Sequence, residues 1–165
     1  MTPFARVGAA VLVAVCVGVA WHRWSASEER AVRQRLDALT DAVNTTVSGG
    51  METFVQAADI GGYFTEDVVV DLGKDAAPIV GRATLVGMAS RLRRRTAAFR
   101  LRLDDVGVRL REEGAAAEVT LTASSMLRDA GAAAESTDAR EHLLEMSKAS
   151  GTWRISRITA VDTLR

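Results

Sequence analysis

The chain reads as one α+β domain, a cone-shaped curved antiparallel sheet wrapped over three helices, preceded by a single transmembrane or signal-anchor helix. Three observations predict this. Residues 7–21 form an uncharged apolar run, helical periodicity is concentrated before Arg95, and from Phe99 onward the apolar residues recur with a period of two. Early helices followed by consecutive strands segregate into two layers, so the sheet has to curl to cover the helices. At 165 residues, 48% hydrophobic and 25% charged, the chain has the size and composition for one compact core plus an attachment.

Charge excludes one class of function. Twenty-one basic side chains balance 21 acidic ones, so the molecule as a whole lacks the positive field with which a nucleic-acid protein meets its partner. Nearly all of the basic residues are Arg, alongside abundant Ala, Val and Gly, a pattern of compositional bias before it is one of arginine chemistry. Cys16 is the sole cysteine, so no intramolecular disulfide can form.

The first element is the apolar run "VGAAVLVAVCVGVAW", between Arg6 and His22. As a helix it would extend roughly 22 Å against a hydrocarbon slab of ~30 Å, which suits a short anchor or the apolar part of a signal peptide. Gly18-Val-Ala20 offers a small-x-small cleavage site, whereas Trp21 and Trp24 flanking Arg23 form the aromatic and cationic belt of an uncleaved anchor. The reading adopted is an anchor over residues 1–24 and a domain over 25–165, with the domain outside the cytoplasm. Arg23, Arg30, Arg33 and Arg35 pull against that orientation.

Within the domain, Ser25-Ala-Ser-Glu28 has the form of a capping box. Val32, Leu36, Leu39, Val43 and Val47 then make one helical stripe that ends near Gly49-Gly50. A short second helix is expected around Met51 to Ala58, a valine strand within "YFTEDVVVDLG", a loop through Pro78, and a third helix over about Ala83 to Arg95 that buries Leu85, Met88 and Leu92. Four strands follow. Phe99, Leu101 and Leu103 alternate with Arg100 and Arg102; Asp104-Asp105 marks a bulge; "REEG" and "KASG" are hairpin turns; and "RDAGAAAESTD" is a loop.

This order resembles the nuclear transport factor 2-like superfamily, which includes ketosteroid isomerases and the SnoaL-like polyketide cyclases. The likeness is carried by "YFTEDVVVD", "IVGRATLVGMASRL" and "GTWRISRI", and covers about Leu36 to Leu164. It implies a cone open at one end, with a pocket lined by Tyr63, Phe64, Leu85, Met88, Leu144 and Met146. It also implies a dimer or protein-partner surface on the outer sheet face. Because this fold hosts enzymes, adaptors and binding domains alike, it leaves the activity open.

Two residues carry the chemistry. Asp71 lies eight residues after Tyr63, the offset at which a ketosteroid isomerase places its proton-shuttling aspartate; the alternative is that Asp71 caps a strand end. The oxyanion donors of such an isomerase, a tyrosine on the first helix and a protonated aspartate on a late strand, have no counterpart, since Tyr63 is the sole tyrosine and Leu143 stands where the late acid would fall. His142 shares a strand face with Leu144 and Met146, and if that face looks inward it could pair with Asp71 or serve simply as a hydrogen-bonded core residue. No metal-ligand spacing and no cofactor motif is present in the sequence. "RLRRR" at Arg91 to Arg95 suits a helix C-terminus and, alternatively, contact with anionic lipid. The Asn44-Thr-Thr46 sequon falls on a helix. Together these features describe a membrane-tethered, noncatalytic domain binding a small apolar ligand or a protein partner, with a small lyase, isomerase or cyclase using Asp71 as base as the alternative.

Overall fold

A computed structural model describes residues 3–45, 58–73, 76–129 and 135–161, with side chains from residue 24 onward except 93–95, 97 and 129. Helix α1 runs from Pro3 to Asn44, and β1 (Phe64–Asp71) and β2 (Ile79–Val80) precede α2 (Arg82–Arg95). Four long strands complete the chain: β3 (Thr96–Arg111), β4 (Ala116–Asp129), β5 (Ser136–Ala149) and β6 (Thr152–Ala160). They form one six-stranded sheet in the order β2-β1-β6-β5-β4-β3. The expected α+β architecture with a curved sheet is present. Most of the expected second helix lies outside the described residues, which show a helical turn at 58–61.

α1 is continuous, with no break at Ser25. No proline or glycine interrupts the sequence between Trp21 and Asn44, so the helix has no reason to restart. The expected capping box is therefore not a cap. Ser27 Oγ donates back to the Trp24 carbonyl at 2.7 Å, while the Glu28 carboxylate turns into the domain. There it accepts two bonds of 2.7 Å from Lys148 Nζ and one of 3.2 Å from Trp153 Nε1. Among the described residues no helix is long and apolar enough to cross a membrane. The side chains of residues 7–21, on which the anchor reading rests, lie outside those described.

Val32, Leu36 and Leu39 carry the buried stripe of α1, and they meet Val68, Val119, Leu121, Leu144, Met146, Trp153 and Ile155 of the sheet. Each such side chain contributes roughly 1.5–3 kcal/mol by leaving water. Val47, the last expected member of the stripe, lies outside the described residues. At the far end of the domain Trp24 lies over Gly114. A Cβ there would come within 2.3 Å of the indole, and the glycine also holds φ at +83°, so two constraints select this residue.

The sheet departs from the expected all-antiparallel pairing in one place. Strands β3 to β6 follow one another through hairpins and must alternate in direction, whereas β1 reaches β6 across most of the chain and pairs with it in parallel, Val70 opposite Ile158. The two-residue β2 replaces the expected loop after Pro78 and pairs antiparallel with Val69 and Val70. The expected bulge is present: the β3–β4 register shifts between Asp104 and Gly107, and Asp105 has φ +53°. Strands β4 and β5 reach further than expected, to Asp129 and back to Ser136, and shorten the loop between them.

The open edge of β3 is covered by α1. Asn44 Nδ2 donates to the Leu101 carbonyl at 2.8 Å and its Oδ1 accepts the Leu101 N–H at 2.7 Å, so one side-chain amide stands in for a neighbouring strand. Arg33 donates to the Val106 carbonyl at 2.6 Å further along the same edge. The nitrogen on which a glycan would be built is thus engaged in the fold.

Candidate functional site

Between α1, α2 and the inner face of the sheet lies an open cavity of about 350 Å³. Leu36, Leu39 and Val43 of α1 form one wall and Leu85, Ala89 and Leu92 of α2 another. The sheet supplies Phe64 and Val70, Phe99, Leu101 and Leu103, Leu121 and Ala123, His142 and Leu144, and Ile155 and Ile158. Strand alternation explains the selection. Val70, Ile158, Leu144, Val119 and Val108 stand opposite one another across five strands, and this row faces inward.

The next row holds Asp71, Thr159, Leu143, Thr120 and Gly107, and by the same alternation it faces the opposite side of the sheet. Asp71 therefore does not line the cavity and is not brought to His142. Its Oδ1 accepts the Gly73 N–H at 3.0 Å, the turn-closing bond of an aspartate at a strand end. The strand-cap alternative describes its position.

His142 stands opposite Leu121 on β4 and lines the cavity. Its Nδ1 is buried and has no hydrogen-bond partner among the described residues. Loss of solvent on burial holds the imidazole below its ordinary value near 6.5, the Arg140 charge lowers it further, and Asp138 acts weakly in the other direction. The ring is therefore neutral near pH 7, lining the cavity while its Nδ1 is buried and unsatisfied.

Of the other expected pocket residues, Phe64, Leu85 and Leu144 line the cavity, and Tyr63, Met88 and Met146 do not. Tyr63 lies beneath the Arg35 guanidinium, 4.0 Å from the ring centre, and its carbonyl accepts the Ile155 N–H. Met146 is buried in the core beneath α1. On α2 Ser90 is buried, its hydroxyl donating to the Val86 carbonyl at 2.8 Å, while Met88 and Leu92 are each 45% exposed. Leu92 borders the cavity and Met88 points away from it. Ile60, Phe99, Leu101, Leu103 and Ile158 line the cavity in addition to the expected residues, and the three from β3 are the apolar members of the alternation with Arg100 and Arg102. Among the described residues, no group of three His, Cys, Asp or Glu converges as a metal site requires.

A SnoaL-like domain model matches residues 24–159 of the chain. The chain belongs to the SnoaL-like domain family. Several solved structures share this SnoaL-like fold at low sequence identity. A candidate scytalone dehydratase of Novosphingobium aromaticivorans has a TM-score of 0.71 at 13% identity, covering 85% of this chain and 87% of that one. A candidate aromatic ring hydroxylase of the same organism has a TM-score of 0.69 at 20% identity, covering 84% and 91%. ActVI-ORFA of Streptomyces coelicolor has a TM-score of 0.61 at 12% identity, covering 82% and 97%. No curated protein matches significantly. At these identities the likeness establishes the SnoaL-like fold and leaves the activity to be argued from the site.

Proposed function

We propose that this SnoaL-like domain holds a small apolar molecule in its cavity, with His142 meeting the molecule's polar group. The observation that carries the reading is an open cavity of about 350 Å³ with an almost wholly apolar wall, in which His142 is the one polar side chain that lacks a hydrogen-bond partner among the described residues. The domain is tethered through residues 7–21 and stands outside the cytoplasm, so the ligand is captured beside a bilayer. A neutral apolar fluorophore such as N-phenyl-1-naphthylamine tests the cavity. Its emission is expected to rise on adding the full chain and to rise far less with Leu103→Trp or Ala123→Phe, which fill the space. Equal enhancement by wild type and by both folded variants would sink the proposal.

A second reading, proton transfer by His142 within the bound molecule, has its own support. Burial keeps the imidazole neutral and able to accept a proton near pH 7, and a candidate scytalone dehydratase shares the fold. Asp71 has no part in this version, since it faces away. Solvent deuterium exchange into 2-tetralone separates the two readings. Faster exchange with wild type than with His142→Asn, at matched binding, indicates catalysis; equal exchange leaves a binding domain.

A further inference from the structure

We infer, on the reading that the cavity binds a small molecule, that its ligand is uncharged, carries a single polar group and has about fourteen heavy atoms inside the protein. The size follows from the volume. A cavity of about 150 Å³ holds the six carbons of benzene, so the 350 Å³ here holds roughly fourteen heavy atoms.

The count of polar groups follows from the wall. Apart from His142 and Thr96, every described lining residue is Leu, Ile, Val, Phe or Ala. The Thr96 hydroxyl has its donor engaged, on the Leu92 carbonyl at 3.1 Å at the end of α2, and keeps only acceptor capacity. His142 is left as the single polar side chain among the described lining residues without a hydrogen bond of its own. A ligand hydroxyl that enters such a space without a partner loses its bonds to water and regains none, so each one beyond the first weakens binding.

The exclusion of charge rests on the same inventory. No Arg or Lys is among the described lining residues. The nearest cation along β5, Arg140, is exposed and paired with Asp138 at 3.0 Å. Among the described lining residues a carboxylate that leaves water finds no counter-charge. The desolvated imidazole is itself neutral near pH 7 and offers none. A molecule dense in hydroxyls or carboxylates is thus a poor match, and a hydrocarbon-rich alcohol, phenol or ketone is a good one.

Equilibrium dialysis tests this, with the full chain in micelles against protein-free micelles as blank. The probes are naphthalene, 1-naphthol, a dihydroxynaphthalene, a tetrahydroxynaphthalene and 1-naphthoate. 1-Naphthol is expected to bind tightest, with a loss of about fivefold or more for each further hydroxyl and about tenfold or more for the carboxylate. His142→Phe is expected to abolish the preference for 1-naphthol over naphthalene. Binding of the tetrahydroxynaphthalene or of 1-naphthoate as tight as that of 1-naphthol overturns the selectivity while leaving the cavity reading intact. Failure of all five probes to bind overturns the cavity reading, and the selectivity with it.

Discussion

Replacing His142 by Phe is expected to stabilise the empty domain, the reverse of the usual effect of altering a core residue. The imidazole lines the cavity beside Leu121, its cross-strand neighbour, but its buried Nδ1 has no partner among the described residues. An unpaired buried polar atom costs about 1–3 kcal/mol, and Phe has a similar outline with no polar atom to satisfy. Because His142 as a whole is half-buried, Phe gives up the water contacts of the imidazole's exposed part, and the net gain should be about 1 kcal/mol. Denaturant unfolding at about pH 8, where both side chains are neutral, measures it as a higher midpoint at unchanged slope. Acidification then adds a second signature. The folded-state pKa of His142 lies below 6.5, so as pH falls through about 6.5 the unfolded chain takes up a proton that the folded chain resists. Wild type therefore loses stability relative to the variant in that window, and the loss levels off below the folded-state pKa. A variant less stable than wild type at pH 8, or a difference that does not widen on acidification, would refute the claim that this nitrogen is held unsatisfied in the apo protein.

Three further substitutions probe the frame around the cavity. Glu28→Ala removes the carboxylate that joins α1 to Lys148 and Trp153, whose ion pair has side chains only 11% and 27% exposed. It should cost about 2–3 kcal/mol in unfolding experiments, somewhat less than a fully buried pair because Lys148 can turn to water, and Glu28→Gln should cost less. Asn44→Ala should cost about 1–2 kcal/mol and raise light scattering at high concentration, since the Leu101 N–H and carbonyl on the β3 edge lose their cover. Asp71→Asn keeps an oxygen acceptor for the Gly73 N–H. It should shift stability by less than about 0.5 kcal/mol and leave fluorophore binding unchanged; a large loss of affinity would place Asp71 in the site after all.

Local signals made much of the fold legible. The stripe Val32, Leu36, Leu39 is buried as its spacing requires, Asp104-Asp105 bends β3, and the turns after Arg111 and Lys148 stand where glycine punctuates the pattern. The parallel pairing of β1 with β6 was not legible, because it joins segments far apart in sequence and no hairpin fixes its direction. Period two also named the inward residues of β3 and placed His142 with Leu144. It could not say that Asp71 falls in the outward row, because that depends on the register of β1 against β6. On α2 the expected apolar stripe fails at one position: Leu85 and Leu92 line the cavity, whereas Met88 is exposed and the helix buries Ser90, whose hydroxyl bonds its own backbone and so can be hidden without an unmet polar group. Glu28 was assigned to a local cap because its true partners lie 120 and 125 residues further along the chain.

The unbroken course of α1 has a mechanical consequence. A helix without a joint behaves as a shaft: whatever grips its leading half also sets the heading of Val43 at the cavity wall and of Asn44 on the sheet edge, roughly 30 Å beyond Trp24. Push or twist applied at one end is delivered at the other, so the pocket keeps a fixed compass bearing relative to the leading half of the shaft instead of swinging on a leash.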